Sequence, residues 1–448
     1  MKKLLIFKIL FSFICTQNFH INQHDGLNAF KWSEINNDTI SINKIGPFNS
    51  SEILDTTLNL IHFYKFLPNN FFKKNVFSEI RYNDTYYFRY RSYGSIAFKL
   101  SEELNLQNVF EFDSKGLNDE DFLGIERGLD NGWVGYLKHS SLTYNYLEGH
   151  FSLGRGNPYF FNFNQSLLIN SHSKPFEYLW WQHKYKTIEF DWGVIFLNER
   201  KFLNDRLITF HRYGFSNKIF RFGFTEAALV TYERIGQREL GYLMPASVLL
   251  ETEENRGSNS NLIWLFDALI KFNDWTFYSE LLIDDFALDG QSPPQIGSSF
   301  GIGKVIMNNF LLNFEYILIK RWVGNHCDEE KIWADHDVPI GHLMGPDSHG
   351  FSFSAYKPIS KKITVELSSN FNNNGKGAGI DRLKEKYPAE CDRNFGFNDE
   401  RFPSSKNISY DIELDLYYLY KKYFRFQLSI QKSSSDNFSS ELSVIYNF

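Results

Sequence analysis

The chain of 448 residues is 18% aromatic, with 46 Phe and 25 Tyr, yet its mean hydropathy is only −0.36. Its apolar residues are therefore scattered among polar ones, and past the N-terminus no run approaches the roughly 20 apolar residues of a membrane-spanning helix. The 47 basic and 53 acidic residues give a net charge of −6 without a clustered basic excess, which excludes a typical nucleic-acid partner.

The N-terminus has the features of an export signal. Lys2 and Lys3 precede a short apolar stretch from Leu4 to Cys15, in the order found in secretory signal peptides. We expect residues 1–20 to be removed on export, although the small residues that usually precede a cleavage site are missing. A lipoprotein is the alternative, but the residues before Cys15 lack the small side chain that usually precedes a lipidated cysteine.

Residues 21–80 do not alternate between apolar and polar side chains, unlike the chain that follows them. Ser50 or Ser51 could cap a helix with Glu52 in its first turn, and that helix would end near Pro68. A second short helical piece is expected between this proline and residue 80. The sequence therefore predicts an N-terminal periplasmic helical segment over residues 21–80.

An apolar and polar alternation with a period of two recurs through residues 81–448, which we interpret as an outer-membrane β-barrel. The candidate strands are 84–91, 95–101, 105–113, 131–138, 142–154, 177–184, 187–198, 206–215, 219–230, 260–271, 275–286, 298–306, 310–321, 349–357, 362–371, 408–420, 422–432 and 438–448. They number roughly eighteen, which is even, as single-chain bacterial barrels require. The predicted fold class is all-β, an antiparallel transmembrane β-barrel.

The connections between these segments alternate between short and long, as the periplasmic turns and outer loops of such barrels do. The predicted inner turns are 102–104, 139–141, 185–186, 216–218, 272–274, 307–309, 358–361 and Lys421. The long outer loops are 114–130, 155–176, 231–259, 287–297, 322–348 and 372–407. A soluble β-sandwich or propeller would also give many short strands, but it does not explain this parity.

The final strand alternates strictly and ends in an aromatic residue. One face carries Leu442, Val444, Tyr446 and Phe448. This pattern resembles the C-terminal strand that the outer-membrane insertion machinery recognises, with lipid on one side. We therefore expect the outer membrane of a Gram-negative bacterium as the location, with its lipid and its insertion machinery as partners.

Ten short motifs follow one another in a fixed order between residues 154 and 286. They are Gly154-Arg155, Leu167–Asn170, Pro175-Phe176, Asp205-Arg206, His211-Arg212, Gly223–Ala227, Tyr242–Pro245, Asn259–Asn261, Asp267 and Tyr278–Phe286. This series resembles the Wzi capsule-assembly family, particularly its members from Bacteroidetes-like bacteria. The resemblance implies an eighteen-stranded barrel with a helical periplasmic plug, which anchors capsular polysaccharide like a lectin. The chain departs from that pattern at Gly156-Asn157-Pro158, where relatives carry a Trp-Gly-Pro-Gly-like stretch.

Aromatic and polar residues that suit a sugar ligand concentrate between positions 155 and 181. Aromatic faces stack on sugar C–H groups, while arginine and asparagine side chains meet hydroxyl groups or carboxylates. The predicted residues for binding capsular or exopolysaccharide are Arg155, Asn157, Tyr159, Tyr178, Trp180 and Trp181. The alternative is that both tryptophans belong to the aromatic girdle at the membrane interface.

Charged residues opposite the lipid face predict a network that occludes the lumen. Its expected members are Arg221, Glu226, Glu280, Asp284, Glu315 and Arg425. Glu226, Glu280 and Asp284 could serve as general acid and base, as in a hydrolase, but ion pairing with the arginines is the simpler role. The chain has no Gly-x-Ser-x-Gly elbow and no glycine-rich phosphate loop, so we expect neither an enzyme nor a cofactor. A porin or substrate-specific channel stays open as the alternative function.

One predicted outer loop is rich in potential metal ligands. Its candidates are His326, Cys327, Asp328, Asp335, His336, Asp337, His342, Asp347 and His349. Their spacing matches no structural zinc motif, so a solvated polar loop without a metal is the expectation.

Two cysteines remain if the signal peptide is removed. Cys327 and Cys391 fall in predicted outer loops that leave the same rim of the barrel, in an oxidising compartment. We expect a disulfide between them, with two unrelated free thiols as the alternative.

Overall fold

The structure is a computed structural model, and eighteen long strands form its main sheet. It describes residues 72–83, 87–101, 103–113, 134–156, 166–170, 175–197, 205–232, 240–245, 247–256, 260–285, 295–306, 310–326, 328–335, 338–360, 362–375, 407–420, 424–434 and 438–447.

The strands follow one another along the chain with few other elements. They are β1 (Phe72–Asn83), β2 (Tyr87–Lys99), β3 (Leu104–Asp113), β4 (Val134–Tyr146), β5 (Gly149–Gly156), β6 (Phe176–Tyr185), β7 (Ile188–Phe196), β8 (Asp205–Ser216), β9 (Phe220–Tyr232), β10 (Asn261–Phe272), β11 (Trp275–Asp285), β12 (Gln295–Ile306), β13 (Phe310–Ile319), β14 (Ala334–Asp335), β15 (Val338–Pro339), β16 (Ser348–Ser360), β17 (Ile363–Asn374), β18 (Asn407–Tyr420), β19 (Phe424–Ser433) and β20 (Phe438–Asn447). Two helices, α1 (Leu240–Leu243) and α2 (Leu249–Arg256), lie between β9 and β10, and a 3-10 helix spans Glu329–Lys331. In the described part of the chain, no helix is both long and apolar enough to cross a membrane.

The main sheet closes into a barrel. Each strand pairs antiparallel with the next, β13 continues to β16, and the small hairpin of β14 and β15 stands apart. The first and last strands also pair, with Phe77 opposite Asn447 and Asn83 opposite Glu441. Every long strand therefore has two neighbours, and the predicted antiparallel barrel of eighteen strands is confirmed.

The two faces of the wall differ, because successive side chains of a strand point to opposite sides. On β10, Ile263, Leu265 and Asp267 are buried, whereas Phe266 and Ile270 between and beyond them are exposed. The exposed outward face carries aromatic and aliphatic side chains on many strands, among them Phe112, Tyr213, Phe222, Phe300, Phe314, Phe351, Ile412, Leu414 and Leu428. Such a band is the lipid-facing surface of a transmembrane barrel.

The described turns at one end of the barrel are short. Lys186 and Asn273 take positive φ angles of 55° and 53° in two of them, as tight hairpin turns require. The alternation of short and long connections predicted from the sequence is therefore present. One predicted inner turn was misplaced: residues 139–141 lie inside β4, and the chain turns at residues 147–148.

The start of the barrel differs from the prediction. Strand β1 begins at Phe72, so residues 72–80 belong to the sheet rather than to a helical segment. The predicted strands 84–91 and 95–101 are parts of one strand, β2. Alternation in β1 is interrupted by Lys74 and Ser78, which hid it in the sequence. Residues 1–71 lie outside the described residues, so the signal peptide and the rest of the helical segment stay predictions.

Candidate functional site in the barrel lumen

Two connections from the long-loop end fold into the lumen, and we call residues 166–170 and 320–347 the inward loops. Leu168 and Ile340 are wholly buried, and Trp333 is nearly so. Their side chains join one apolar core with inward-facing residues of the wall, including Phe210 and Leu265. The lumen beside β6–β13 is therefore filled by protein.

Buried polar contacts hold the first inward loop in place. The Glu280 carboxylate accepts hydrogen bonds from Ser166 Oγ at 2.9 Å and from the Leu167 amide at 2.8 Å. The two loops also hold each other, since Trp333 Nε1 donates to the Leu168 carbonyl oxygen at 2.7 Å. Asn170 donates from its side chain to the carbonyl oxygen of Gly341. These bonds satisfy backbone groups that burial would otherwise leave unpaired.

A buried arginine fastens the second inward loop to the wall. Arg206, at the outer end of β8, donates to the carbonyl oxygens of Glu330, Ile332 and Ala334 at 2.6, 2.8 and 2.8 Å. Five N–H donors in a fixed planar fork allow one guanidinium to gather several carbonyls in this way.

The second inward loop was expected to be a solvated polar loop, and that expectation was wrong. Asp335, His342 and Asp347 are 2%, 6% and 0% exposed, because the loop packs inside the barrel. No group of three His, Cys, Asp or Glu side chains within the described ranges could hold a metal ion. Cys327 and Cys391 lie outside the described residues, so their disulfide stays a prediction.

His326 and Asp328 lie in a polar segment of this loop, and their surroundings shift the pKa of each side chain. Burial lowers the pKa of His326 to about 4, so its ring is neutral at physiological pH. Burial alone would raise the pKa of Asp328, but Lys331, 3.0 Å away, and the Glu330 amide outweigh it and lower the pKa. Asp328 therefore stays charged and caps the 3-10 helix.

A compact charge network, which we call the lumen network, lies on the inward face of β7–β10. Arg212 is wholly buried and makes two bonds to Asp267, at 3.0 and 2.9 Å. The same guanidinium lies 3.4 Å from Glu189 and 3.6 Å from Asp191. Arg221 reaches Glu189 at 3.1 Å. Lys184 of β6 supplies a third cation beside the network, 3.0 Å from Glu189, so three cations balance the three buried carboxylates, as a stable buried cluster requires.

Glycine makes room for this network. A Cβ atom on Gly223 would collide with both the Arg212 guanidinium and the Asp267 carboxylate, and one on Gly214 would lie 2.6 Å from Arg212 Nη1. Two neighbouring strands therefore leave out inward side chains where the guanidinium passes. That arrangement ties the sequence motif around Gly223 to the lumen network.

The structure places the charged residues predicted for the lumen in different surroundings. Arg221 belongs to the lumen network, whereas Glu280 and Asp284 accept hydrogen bonds from backbone amides of the inward loops. Glu315 is buried on the inward face of β13, and the side chain of Arg425 lies outside the described residues. The prediction omitted four actual members, Glu189, Asp191, Arg212 and Asp267. Only the strand register, which the sequence does not reveal, brings them together.

Glu226 does not face the lumen, contrary to the prediction. In the strand register it lies opposite His211 of β8 and Trp264 of β10, on the outward face. Its carboxylate accepts hydrogen bonds from the amides of Leu249 and Leu250. It therefore binds the start of α2 on the outside of the barrel. Glu226 and Glu280 consequently lie on opposite faces of the wall, so these two cannot act together as acid and base.

The predicted polysaccharide residues do not form one surface. Tyr178 and Trp180 point inward and are 2% and 0% exposed, so no sugar can stack on them in this structure. Trp181 and Arg155 point outward, where Arg155 lies 3.7 Å from Glu177. Adjacent residues of a strand always face opposite ways, which the predicted cluster ignored. Asn157 and Tyr159 lie outside the described residues.

Replacing the two tryptophans separately is expected to give different results. Trp180 packs against Phe210 with ring centroids 4.7 Å apart, so Trp180→Ala should destabilise the barrel by about 3–5 kcal/mol. Trp181 donates to Tyr146 Oη on the outer face, and Trp181→Ala should cost less than half as much. Urea unfolding of purified protein in detergent measures both. Equal losses would show that the two side chains share one environment.

A second surface of the lumen, which we call the polar wall, lies on the inward face of β16–β19. Its residues carry hydroxyl, amide and carboxylate groups and are partly or fully exposed: Ser352, Ser368, Asn370, Asn372, Ser409, Asp411, Glu413, Gln431 and Ser433. Ser352, Asn370, Asp411 and Ser433 stand in one row across four strands. Hydrogen-bonding groups in such a row suit a ligand with many hydroxyl groups.

The comparisons with known proteins agree with this geometry. No protein-family model matches the chain, and no curated protein matches it. Among solved structures, it is similar to Wzi of Escherichia coli, described as an outer membrane protein involved in group 1 capsule assembly and a carbohydrate-binding β-barrel. The TM-score is 0.61 at 12% identity, over 97% of this chain and 99% of that one. This chain is an outer-membrane β-barrel.

Two further similar structures are described as outer membrane proteins. The protein OpdK of Pseudomonas aeruginosa gives a TM-score of 0.49 at 10% identity, over 86% of this chain and all of that one. OmpT of Vibrio cholerae, in a loop-deletion form, gives 0.35 at 9% identity, over 85% of this chain and all of that one. The closed sheet of eighteen strands and its lipid-facing band confirm the barrel fold and the outer-membrane location predicted from the sequence.

Proposed function

We propose that this barrel binds capsular or exopolysaccharide at the cell surface and anchors it there, without catalysing a reaction. The observation that carries the proposal is the pair of inward loops, which are fixed to the wall through Arg206 and Glu280. A barrel that fills much of its own lumen in this way is better suited to holding a polymer at its mouth than to passing solutes. The motif series between residues 154 and 286 and the overall likeness to a carbohydrate-binding barrel support the same function.

The polar wall is the surface that we assign to the glycan. Its hydroxyl, amide and carboxylate groups face the lumen, so they can meet sugar hydroxyls that enter from the long-loop end. The exposed tryptophan stacking surface predicted from residues 178–181 plays no part in this assignment, because Trp180 is buried. Capsular polysaccharides differ in charge, and the acidic members of the polar wall, Asp411 and Glu413, favour a neutral or weakly charged segment.

Deleting the gene tests the anchor. Polysaccharide is expected to move from the cell surface into the medium while total synthesis stays similar, because a binder retains a polymer and does not make it. The combined replacement of Asn370 and Asp411 by Ala should reproduce that release with normal amounts of folded barrel. Ile412→Ala, on the outward face of the same strand, is the matched control and should retain polysaccharide. Unchanged cell-bound polysaccharide in the deletion strain would refute the anchor.

A substrate-specific channel is the second candidate, and one observation favours it. Asn370 and Gln431 are exposed inside the barrel, so part of the lumen beside β16–β19 is accessible to solvent. A continuous path along this wall would conduct ions. Steady single-channel conductance of the purified protein in planar bilayers would favour this second function over the anchor.

A further inference from the structure

A second layer of protein covers part of the outer wall of the barrel. We call residues 240–256, which include α1 and α2, the outer-wall cover. Tyr242 and Leu249 of the cover are buried against outward-facing residues of β7–β9, among them Val194, Leu207 and Ala228. Thr209 Oγ1 donates to the Tyr242 carbonyl oxygen at 2.7 Å, and Thr209 also faces outward.

The cover ends along a sharp boundary on the wall. Trp192, His211, Glu226 and Trp264 stand in one row across β7–β10. Outward-facing residues on the long-loop side of this row, such as Thr209 and Ala228, are buried. On the other side, Phe190 and Phe224 next to the row are half-buried, and Tyr213 and Phe222 are exposed at 46% and 45%. The covered part and the lipid-facing band are thus continuous on the same strands.

The height of this boundary places the cover within the membrane. His211 lies five residues from Ser216, the last residue of β8, which corresponds to a rise of roughly 13 Å at the usual strand tilt. The apolar band of such barrels is about 25 Å tall. On β18, outward-facing side chains remain exposed much further along the strand, up to Ile408 at 58%. Lipid that touches the wall at β18 therefore meets the cover at the same level beside β8.

Three apolar side chains of the cover are exposed at this level: Met244, Val248 and Leu250, at 59%, 52% and 36%. Glu251, which follows them in the first turn of α2, is exposed as well. The inner side of the cover, in contrast, supplies two backbone amides to Glu226. A carboxylate facing lipid would be costly, and the cover removes that cost by satisfying it with protein donors.

We propose that the outer-wall cover is embedded in the outer leaflet of the membrane, with Met244, Val248 and Leu250 in contact with lipid acyl chains. The cover replaces acyl chains against the wall between β7 and β10 and presents these three apolar side chains to them. These side chains are continuous with the exposed aromatic band on the same strands. Because lipid contacts that band, we assign lipid as the partner of this surface too. The cover thereby ties an outer connection of the barrel to the bilayer instead of to the solvent above it.

Environment-sensitive labels at single cysteines test this placement. Val248→Cys is introduced into the full-length protein with Cys327 and Cys391 replaced by Ser, and the labelled protein is reconstituted into phosphatidylcholine vesicles. Phe266→Cys, in the exposed band, is the lipid control, and Leu147→Cys, 99% exposed in an inner turn, is the aqueous control. The Val248 label should match the Phe266 label in blue-shifted emission and in quenching by brominated acyl chains. It should be several-fold less accessible to aqueous iodide than the Leu147 label.

Two outcomes would overturn the proposal. A Val248 label with the emission and iodide accessibility of the Leu147 label would put the cover in water. A label shielded from iodide, untouched by brominated chains and cross-linked between two copies would assign the surface to self-association. A charge test avoids the cysteine replacements: Val248→Asp in the otherwise unchanged chain should strongly reduce the amount of heat-modifiable folded protein. Leu147→Asp should leave that amount unchanged, and equal amounts for both variants would contradict lipid contact.

Discussion

Replacing Arg212 by methionine is expected to destabilise the barrel by at least about 3–5 kcal/mol, because a buried ion cluster loses its central cation. Arg212 is wholly buried and is the only partner within the lumen network, as the described residues show it, that contacts all of Glu189, Asp191 and Asp267. Without it, three carboxylates in a low-dielectric interior retain only Arg221 and Lys184 as nearby cations. The shift of the urea unfolding midpoint of the purified barrel measures the loss.

The matched control is Arg155→Met, which removes a cation from an outward-facing pair. That pair with Glu177 is partly exposed, and exposed ion pairs contribute about 0–1 kcal/mol, so little change is expected. Adding Asp267→Asn to Arg212→Met should recover part of the stability, because it removes one uncompensated charge. Equal stability of the Arg212→Met and Arg155→Met proteins would show that the lumen network contributes nothing beyond surface charges.

Removing the second inward loop is expected to open the barrel to ions. The Asp347 amide donates to the Lys320 carbonyl oxygen at 3.3 Å, so the two ends of the loop are adjacent. Residues 321–346 can therefore be replaced by two glycines without moving β13 or β16. The deletion takes Trp333 and Ile340 out of the lumen core, and water can occupy the space that they filled. Planar-bilayer recording should give a large stable conductance for this variant and little for the intact protein.

The experiment also separates the two proposed functions. If the protein anchors polysaccharide, the intact barrel conducts poorly and the deletion variant loses cell-bound polysaccharide. The Trp333→Phe variant serves as a control, because it removes one hydrogen bond to Leu168 but keeps the aromatic filling, and it should stay closed. Similar conductance before and after the deletion would mean that the inward loops do not block the lumen.

The strand pattern was predictable because a lipid-facing wall imposes a strict period of two. The final strand shows this well: Leu442 pairs with Leu428, whose side chain is 38% exposed on the outward face. The count of eighteen strands was correct partly because two errors cancelled. Strand β1 was missed where Lys74 and Ser78 interrupt its apolar positions, and β2 was divided into two. Local pattern alone does not resolve such interruptions.

The candidate site was much less predictable, because its contacts depend on register and on loop direction. Sequence alternation could have separated Trp180 from Trp181, and it also puts Glu189 and Asp191 on one face of β7. It could not show that residues 320–347 turn into the lumen while residues 240–256 turn outward over the wall. Both loops have mixed polar and apolar sequences, and only the packed surfaces that they meet distinguish the two directions. Alternation also puts Glu226 on the opposite face of β9 from Arg221, so the sequence could have excluded one of these two residues from the lumen.

The pairing of the first strand with the last has a kinetic consequence. Seventeen of the eighteen strand contacts join consecutive barrel strands and can form as successive hairpins, whereas the contact of residues 77–83 with residues 441–447 spans nearly the whole chain. Loop-closure entropy makes such a distant contact the slowest to form. Until it forms, β1 and β20 are both unpaired sheet edges, open to proteases and to other chains. The pairing of residues 441–447 with β1 therefore decides whether the barrel has an edge at all.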